Sequence, residues 1–394
     1  MKKKKKSTGK VVTIVLGSVI GFLSVFTLSC YIILRVLIDK RNYVPINEDF
    51  TILNETPSFF EDVINPSSKE PGTDSDLSEV ESYMSQVESN AGELEQEEEV
   101  EIMNILLVGS DIREHDDVGR SDTMILVSIN KETKQVVATS FLRDTFVKIP
   151  IKNEFMKLNA AYAYGGIELL FETLKYNYGV NVDKYIAVDF LSFIDSIEII
   201  GGIDIQVYEE ELYWFNQYIH ASNLLVEPPE REHSDYVDFA DGSYQHLNGK
   251  QALAYARFRY VGNGDFTRTD RQRRVVQSIF DKLKEMDVST LVALLNQVIP
   301  HITTNLTDDE CMEYLFMLPE LTKYQIVSWH IPDEDFKYMT VNGEEVVAID
   351  FSYYMKKLFN YMYTRVEMDN QSTTAGTTSE SISEEPEGET QVQH

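Results

Sequence analysis

The chain has 394 residues, is 43% hydrophobic and carries a formal net charge of −30, so its apolar content suffices for one large or two modest domains. That acidity excludes the broad basic footprint of a general nucleic-acid binder. Of the two cysteines, Cys30 lies in an apolar run and Cys311 stands alone, so the folded part needs no disulfide framework.

The N-terminus reads MKKKKKSTGK, with six lysines. Val11–Leu34 then runs 24 residues without a charge, long enough for one helix across a ~30 Å hydrocarbon core. Lysines ahead of the run and few basic residues after it place the N-terminus in the cytoplasm. A cleavable signal peptide is the alternative, but the run is too long and no A-x-A-like site follows it. The expected organisation is a cytoplasmic basic tail (1–10), a single transmembrane helix (11–38), a juxtamembrane stalk and acidic linker (39–101), an extracellular folded domain (102–365) and an acidic Ser/Thr-rich tail (366–394).

Arg41 to about Pro66 is mixed in composition and reads as a juxtamembrane helix or as part of the stalk. Glu70 to Glu101 holds twelve carboxylates and no Lys, Arg or His. Val366 to His394 has no Lys or Arg. Both acidic stretches are expected to be disordered, the first as a self-repelling, extended linker.

The domain reads as α/β: a central mixed β-sheet flanked by helices. Apolar, β-branched runs predict strands at Met103–Val108, Thr123–Asn130, Val136–Phe141, Lys184–Val188 and Ile203–Val207. INKETKQ reads as a hairpin turn between the second and third. Helices are predicted at Asn159–Tyr178, Phe190–Ile200, Asn248–Ala256, Thr269–Met286, Ser289–Val298 and Asp308–Leu318. YQIVSWHI and EEVVAI give two late strands, and Ser352–Tyr363 closes as a helix.

Four stretches carry candidate chemistry. In GSDIREHDDVGRSDTMILV, Asp111 follows one predicted strand and Asp122 opens the next. The loop between them returns both to one sheet edge, where two carboxylates can share a hard cation such as Mg²⁺; solvated loop acids are the plainer reading. In SFLRDTFVKIP, Arg143 and Asp144 end an apolar strand, as a functional pair or a structural ion pair. In KLNAAYAYGG, Asn159 reads as a helix N-cap, and Gly165–Gly166 implies a close packing contact; Lys157 reads equally as a surface residue.

The fourth stretch, RFRYVGNGDFTRTDRQRR (257–274), holds six of the chain's thirteen arginines. Arg257 and Arg259, if extended, point the same way. Thr269 and Gln272 have capping-box spacing. Arg268, Gln272, Val275 and Ile279 share one helical stripe, so Arg268 and Gln272 face inward. A helix N-terminus disfavours cations, and inward arginines there make sense around a bound anion such as phosphate. Arg271, Arg273 and Arg274 read as solvated or paired with acids.

Two acids that can hold a metal and several arginines suit phosphoryl transfer by positioning and charge stabilisation. No P-loop or kinase glycine loop marks a nucleotide, and no His pair or Cys cluster marks zinc. Outside the membrane, the phosphate donor is expected to be lipid-linked.

These motifs resemble the LytR–CpsA–Psr family of cell-wall ligases. The resemblance runs from about Met103 to Met286. It rests on NILLVGSD, GRSDTMILV, SFLRDTFVKIP, KLNAAYAYGG, VDKYIAVDF, IGGIDIQV, LNGKQALAYARFR and GDFTRTDRQRRVV, in the family's order. It implies transfer of a glycopolymer from an undecaprenyl-pyrophosphate carrier to the 6-hydroxyl of N-acetylmuramic acid in peptidoglycan, assisted by Mg²⁺ or Mn²⁺, at a Gram-positive cell surface. By motif match, Asp111 and Asp122 resemble the metal-associated acids. Arg120, Arg143, Arg257, Arg259, Arg268 and Gln272 resemble the pyrophosphate-binding residues, with Arg143, Arg257 and Arg259 also counted as catalytic. Asp265, placed in the GNGD turn, resembles the acid that acts on the acceptor hydroxyl. The resemblance also implies an apolar groove for the prenyl chain. A hydrolase of the same carrier would use the same groups. A catalytically inert lipid-binding or attenuator protein is the remaining alternative; a nucleic-acid partner is not expected, because the arginines lie on the extracellular side.

Overall fold

The computed structural model describes residues 35–36, 38–47, 77–90, 102–111, 119–226, 235–286, 290, 293–294, 297–321 and 323–366. Its strands are β1 (Asn42–Tyr43), β2 (Ile102–Ser110), β3 (Ser121–Asn130), β4 (Gln135–Phe141), β5 (Phe146–Ile149), β6 (Glu154–Lys157), β7 (Lys184–Val188), β8 (Ile203–Gln206), β9 (Tyr244–Leu247), β10 (Thr303–Thr304), β11 (Gln325–Ile331), β12 (Phe336–Val341) and β13 (Glu344–Ile349). Its helices are α1 (Leu77–Asn90), α2 (Ala160–Tyr178), α3 (Phe190–Ile199), α4 (Leu212–Asn223), α5 (Gly249–Arg257), α6 (Asp265–Lys284), α7 (Asp308–Leu321) and α8 (Phe351–Tyr363).

A seven-stranded sheet in the order β1-β10-β7-β2-β3-β4-β11 forms the centre. β2, β3 and β4 form an antiparallel meander. β7 runs parallel to β2 and β11 parallel to β4, so the sheet is mixed. Strand alternation sends successive side chains to opposite faces. Leu106 and Leu126 enter a cluster with Leu170 and Leu174 of α2 and Leu358 of α8. Their neighbours Leu107 and Ile125 line a cavity on the other face, beneath α5 and α6. A second cluster joins β8, α4, α5 and α6 through Ile205, Phe215, Tyr255, Phe258 and Val275.

Several expectations need correction. The acidic stretch is not an extended linker throughout. Val80, Tyr83, Met84 and Val87 have the spacing of one helical face, and they dock α1 onto the domain. The Tyr83 hydroxyl donates to the Phe146 carbonyl at 2.7 Å, and Lys148 pairs with Glu88 at 2.8 Å. The segment after Arg41 is neither helix nor stalk at Asn42–Tyr43, which adds a parallel strand beside β10. Asn159 occupies the cap position of α2 without a side-chain cap bond. Gly165 and Gly166 mark a kink, and the Gly166 φ of 64° is a left-handed conformation that glycine adopts freely. α6 starts one turn before Thr269, so Thr269 donates within the helix to the Asp265 carbonyl and the capping box is absent. Short elements with weak patterns, β5, β6, β9, β12 and α4, were not expected.

Among the described residues no helix is long and apolar enough to cross a membrane. The Val11–Leu34 run, residues 367–394 and part of Ser289–Val298 lie outside those residues.

Two packing features place the site. Gly249 opens α5 so close to α3 that a Cβ there would sit 2.3 Å from the Ile194 carbonyl oxygen. Arg271, 1% exposed, pairs with Glu211 at 2.9 Å and donates to the Phe258 and Val261 carbonyls at 3.1 and 3.2 Å. It thereby holds the turn carrying Arg259. Removing one partner of a buried ion pair leaves an uncompensated charge. Glu211→Ala is therefore expected to cost about 3–5 kcal/mol in a denaturant titration; a loss under about 1 kcal/mol, the range of exposed pairs, would refute this anchoring role.

Candidate active site

The charged end of the cavity is assembled by three short-range features. Asp122 stands at the start of β3, one residue from the Gly109–Thr123 pair. Arg143 and Asp144 occupy the turn between β4 and β5. Backbone bonds pin that turn from several sides: Asn159 N–H to the Arg143 carbonyl, Leu158 N–H to the Thr145 carbonyl and Val347 N–H to the Asp144 carbonyl. Asp265 and Arg268 share the first turn of α6, where Arg268 donates to Asp265 Oδ2 at 2.7 Å. Asp265 is thus the first residue of a helix and not part of the preceding turn.

Arg143 joins the three. Its guanidinium pairs with Asp122. Its Nε lies 3.7 Å from Asp144 and 3.5 Å from Asp265. Lys157 approaches the other side of Asp144 at 3.3 Å. Arg257, at the end of α5, lies over the Phe190 ring at 4.2 Å, and its side chain lines the same cavity. Gln272 donates to the Ala256 carbonyl at 3.3 Å, tying α6 to the end of α5. The expected grouping therefore appears for Asp122, Arg143, Arg257, Arg259, Arg268 and Gln272, all of which line one cavity.

Asp111 and Arg120 stand beside this group, at the ends of β2 and β3. They close the base of the β2–β3 loop by pairing with each other: the Arg120 N–H donates to Asp111 Oδ1 at 2.5 Å, and the Asp111 N–H donates to the Arg120 carbonyl at 3.2 Å. Neither is among the residues lining the cavity.

Burial and charge compete at each group. Burial would raise the Asp122 carboxyl, but Arg143, Arg268 and Arg257 outweigh it and hold it at about 2. Burial likewise works against the charged form of Asp144, and Arg143 and Lys157 reverse it, so its carboxyl is lowered. At Asp265 burial wins: the carboxyl is raised despite Arg268 and Arg143, and Asp144 adds to the rise. Burial and the neighbouring Arg143 lower Arg268. Asp265 Oδ1, Arg143 Nε and Arg268 Nε are buried atoms without hydrogen bonds, a donor and acceptor surplus suited to a polar ligand.

The rest of the cavity is apolar. It measures about 370 Å³ and is walled by Leu107, Ile125 and Ile186 of the sheet, Phe193, Ile197 and Ile200, and Val275, Ile279 and Leu283 of α6. From Arg268 to Leu283 is fifteen residues of helix, about 22 Å of wall. Leu294, Val298 and Ile302 line the cavity beyond the charged groups. One space thus offers guanidinium groups at one end and a hydrocarbon-like wall along the other.

Among the described residues no group of three or more His, Cys, Asp or Glu side chains could hold a metal. Mg²⁺ binds through one or two carboxylates and completes its shell with water and substrate phosphate, and Asp111 and Asp122, near adjoining strand ends, are the carboxylates that would hold it.

Asp144, Lys157 and Phe190 belong to this site more firmly than their sequence context implied. Asp144 and Lys157 were legible only as charges flanking apolar runs. Phe190 had no signal beyond its place in the predicted helix.

The pattern of the LytR_cpsA_psr family matches residues 69–365. A polyisoprenyl-teichoic acid–peptidoglycan teichoic acid transferase TagU of Enterococcus faecalis is 28% identical over 257 residues, covering 63% of this chain and 78% of that one. The TagU of Bacillus licheniformis is 34% identical over 209 residues, covering 52% of this chain and 61% of that one. The solved LytR-CPS2A-psr family protein YwtF (TagT) with bound octaprenyl pyrophosphate lipid aligns with a TM-score of 0.50 at 20% identity, covering 81% of this chain and 98% of that one, and shares the fold. With the family pattern extending from ahead of α1 to the end of α8, the chain belongs to the LytR–CpsA–Psr family.

Proposed function

We propose that the chain is a membrane-anchored phosphotransferase that moves a glycopolymer from an undecaprenyl-pyrophosphate carrier onto the 6-hydroxyl of N-acetylmuramic acid in peptidoglycan. The carrying observation is the single cavity that joins Arg143, Arg257, Arg259 and Arg268 to a long apolar wall. A pyrophosphate with a prenyl tail has that same polarity. The names of the TagU relatives and the lipid in the YwtF structure support the reading. With Val11–Leu34 as the span, the domain faces the wall of a Gram-positive cell.

In this reading Arg143, Arg257, Arg259 and Arg268 bind the pyrophosphate and stabilise charge that develops on it, with Gln272 fixing the cationic end and Arg120 at its rim. Guanidinium forks suit bidentate contact with phosphate oxygens. Asp265 takes the proton from the acceptor hydroxyl. That oxygen forms a bond to the phosphorus nearer the saccharide, and the bond from this phosphorus to the lipid phosphate breaks. The products are a phosphodiester and polyprenyl phosphate. Mg²⁺ or Mn²⁺, held by Asp111 and Asp122, would supply further neutralisation of the pyrophosphate charge. Asp144, braced by Lys157, positions Arg143.

The test is to incubate the purified protein with Mg²⁺, a lipid-pyrophosphate-linked saccharide and peptidoglycan oligomers and to seek the phosphodiester by mass spectrometry. Lipid phosphate released without sugar transfer would replace transfer by hydrolysis. Arg257→Ala and Arg268→Ala are each expected to lower kcat by about 100- to 1,000-fold, the range for loss of one charge-stabilising donor; unchanged rates would remove them from the site. Asp265→Asn is expected to lose about 100- to 10,000-fold, as for a general base. Because the Asp265 carboxyl lies above its ordinary value of 3.8, the base becomes protonated, and activity falls, at a higher pH than for an ordinary aspartate. The acidic limb of kcat/KM should therefore lie above pH 3.8, and a limb below it would assign the base elsewhere.

A further inference from the structure

The residues that follow the apolar N-terminal run are bound along one edge of the sheet. Asn42 and Tyr43 pair with Thr303 and Thr304. The Asn42 N–H donates to the Ile302 carbonyl at 3.1 Å, and the Val44 N–H to the Thr304 carbonyl at 2.9 Å. Arg41, with its side chain only 8% exposed, donates to the Leu306 carbonyl at 3.0 Å and to Asp308 Oδ1 at 2.7 Å. Arg35 lies within 3.7 Å of Asp308 and 3.6 Å of Asp309, and Ile38 is buried. Further along, the Tyr185 hydroxyl donates to the Val44 carbonyl and the Asn47 N–H to Glu168. A free stalk would need none of these bonds.

This edge is also the apolar end of the cavity. Ile302, whose carbonyl receives the Asn42 N–H, lines the cavity together with Leu294 and Val298. Across the sheet, β10 is separated from β3, which carries Asp122, by β7 and β2. Three strand spacings put those two strands about 14 Å apart. Leu34, the last residue of the apolar run, is eight residues from Asn42, so it lies at most about 29 Å away. The strap itself exposes Tyr43 and Val44, and tyrosine suits a membrane–water interface.

We propose that residues 38–47 are a docking strap that holds the apolar end of the cavity against the lipid bilayer, so that the tail of a membrane-borne carrier passes into the cavity along the β1–β10 edge. The inference rests on the proposed function and on Val11–Leu34 as the span. A short, bound strap keeps the cavity end at a fixed place over the bilayer. A loose tether would let it sample all orientations and would dilute its effective concentration at the lipid.

The experiment uses the full chain in phosphatidylglycerol-containing vesicles. A twelve-residue Gly/Ser insertion between Leu34 and Arg35 uncouples the strap from the span without touching its bonds. Transfer is measured from a long-chain pyrophosphate donor in the vesicles and from a short-chain, water-soluble one. The expected result is a loss of about tenfold or more with the vesicle donor, by dilution of the tethered encounter, and an unchanged rate with the soluble donor. Equal rates with both donors, or equal losses, would overturn the strap. Absence of transfer by the unmodified chain from either donor would instead strike the proposed function. A second readout needs no activity: a dansyl side chain replacing Tyr43 should be quenched by headgroup-labelled lipid, whereas one replacing the similarly exposed Tyr338 of β12 should not. Equal quenching at both positions would also overturn the proposal.

Discussion

The site depends on Arg143, a guanidinium nearly removed from water and set among three carboxylates from three parts of the chain. A buried charge is tolerated only where partners compensate its lost hydration. Asp122 comes from β3, Asp144 from the same turn as Arg143, and Asp265 from the start of α6. The one cation therefore fixes where the meander ends and where α6 begins. It also explains why the turn between β4 and β5 is held by so many backbone bonds. A turn free to move would withdraw the one charge that all three acids share.

The arginines of residues 257–274 divide by what surrounds them. Arg271 is structural, its charge consumed by Glu211 and by carbonyl groups beneath the Phe258 ring. Arg273 pairs with Asp270 and Arg274 reaches the Tyr255 hydroxyl. Arg257, Arg259 and Arg268 face the cavity. The cluster is thus not a uniform basic patch but a buried brace, a helix-surface pair and a clamp lining one space. The brace sits within a turn of the clamp, so the geometry of one is inherited by the other.

Much of this was legible in the sequence. The β2–β3–β4 meander and β7 are apolar, β-branched runs bounded by turn residues, and their period decides their conformation. Arg268, Gln272, Val275 and Ile279 share a stripe, and that stripe does face the cavity. Arg271 has the same periodicity, but its partner lies sixty residues away in a stretch with no local signal, so its burial was not readable. Composition misled over Leu77–Asn90, where carboxylates on the outer face of α1 obscured the regular spacing of Val80, Tyr83, Met84 and Val87. Asp111 and Arg120 were read as site residues from their motif, and their backbone and side-chain bonds to each other had no local signal. Pairings such as β1 with β10, or Lys157 with Asp144, join distant segments and leave no trace in local periodicity.

The cavity lies between two separately packed hydrophobic clusters, one under the sheet with α2 and α8 and one around α4, α5 and α6. One wall is therefore the sheet face turned away from the first core, through Leu107, Ile125 and Ile186, and the other is the surface of the second core, through Ile197, Ile200 and Val275. A change in the spacing of those surfaces alters the width of the cavity while each core keeps its own contacts. The width open to any occupant is set less by any one side chain than by how firmly those two surfaces are joined. The ion pairs of Arg143 with Asp122 and Asp265 tie the sheet to the start of α6 across the cavity, so the charged end also bears on the width of the apolar end.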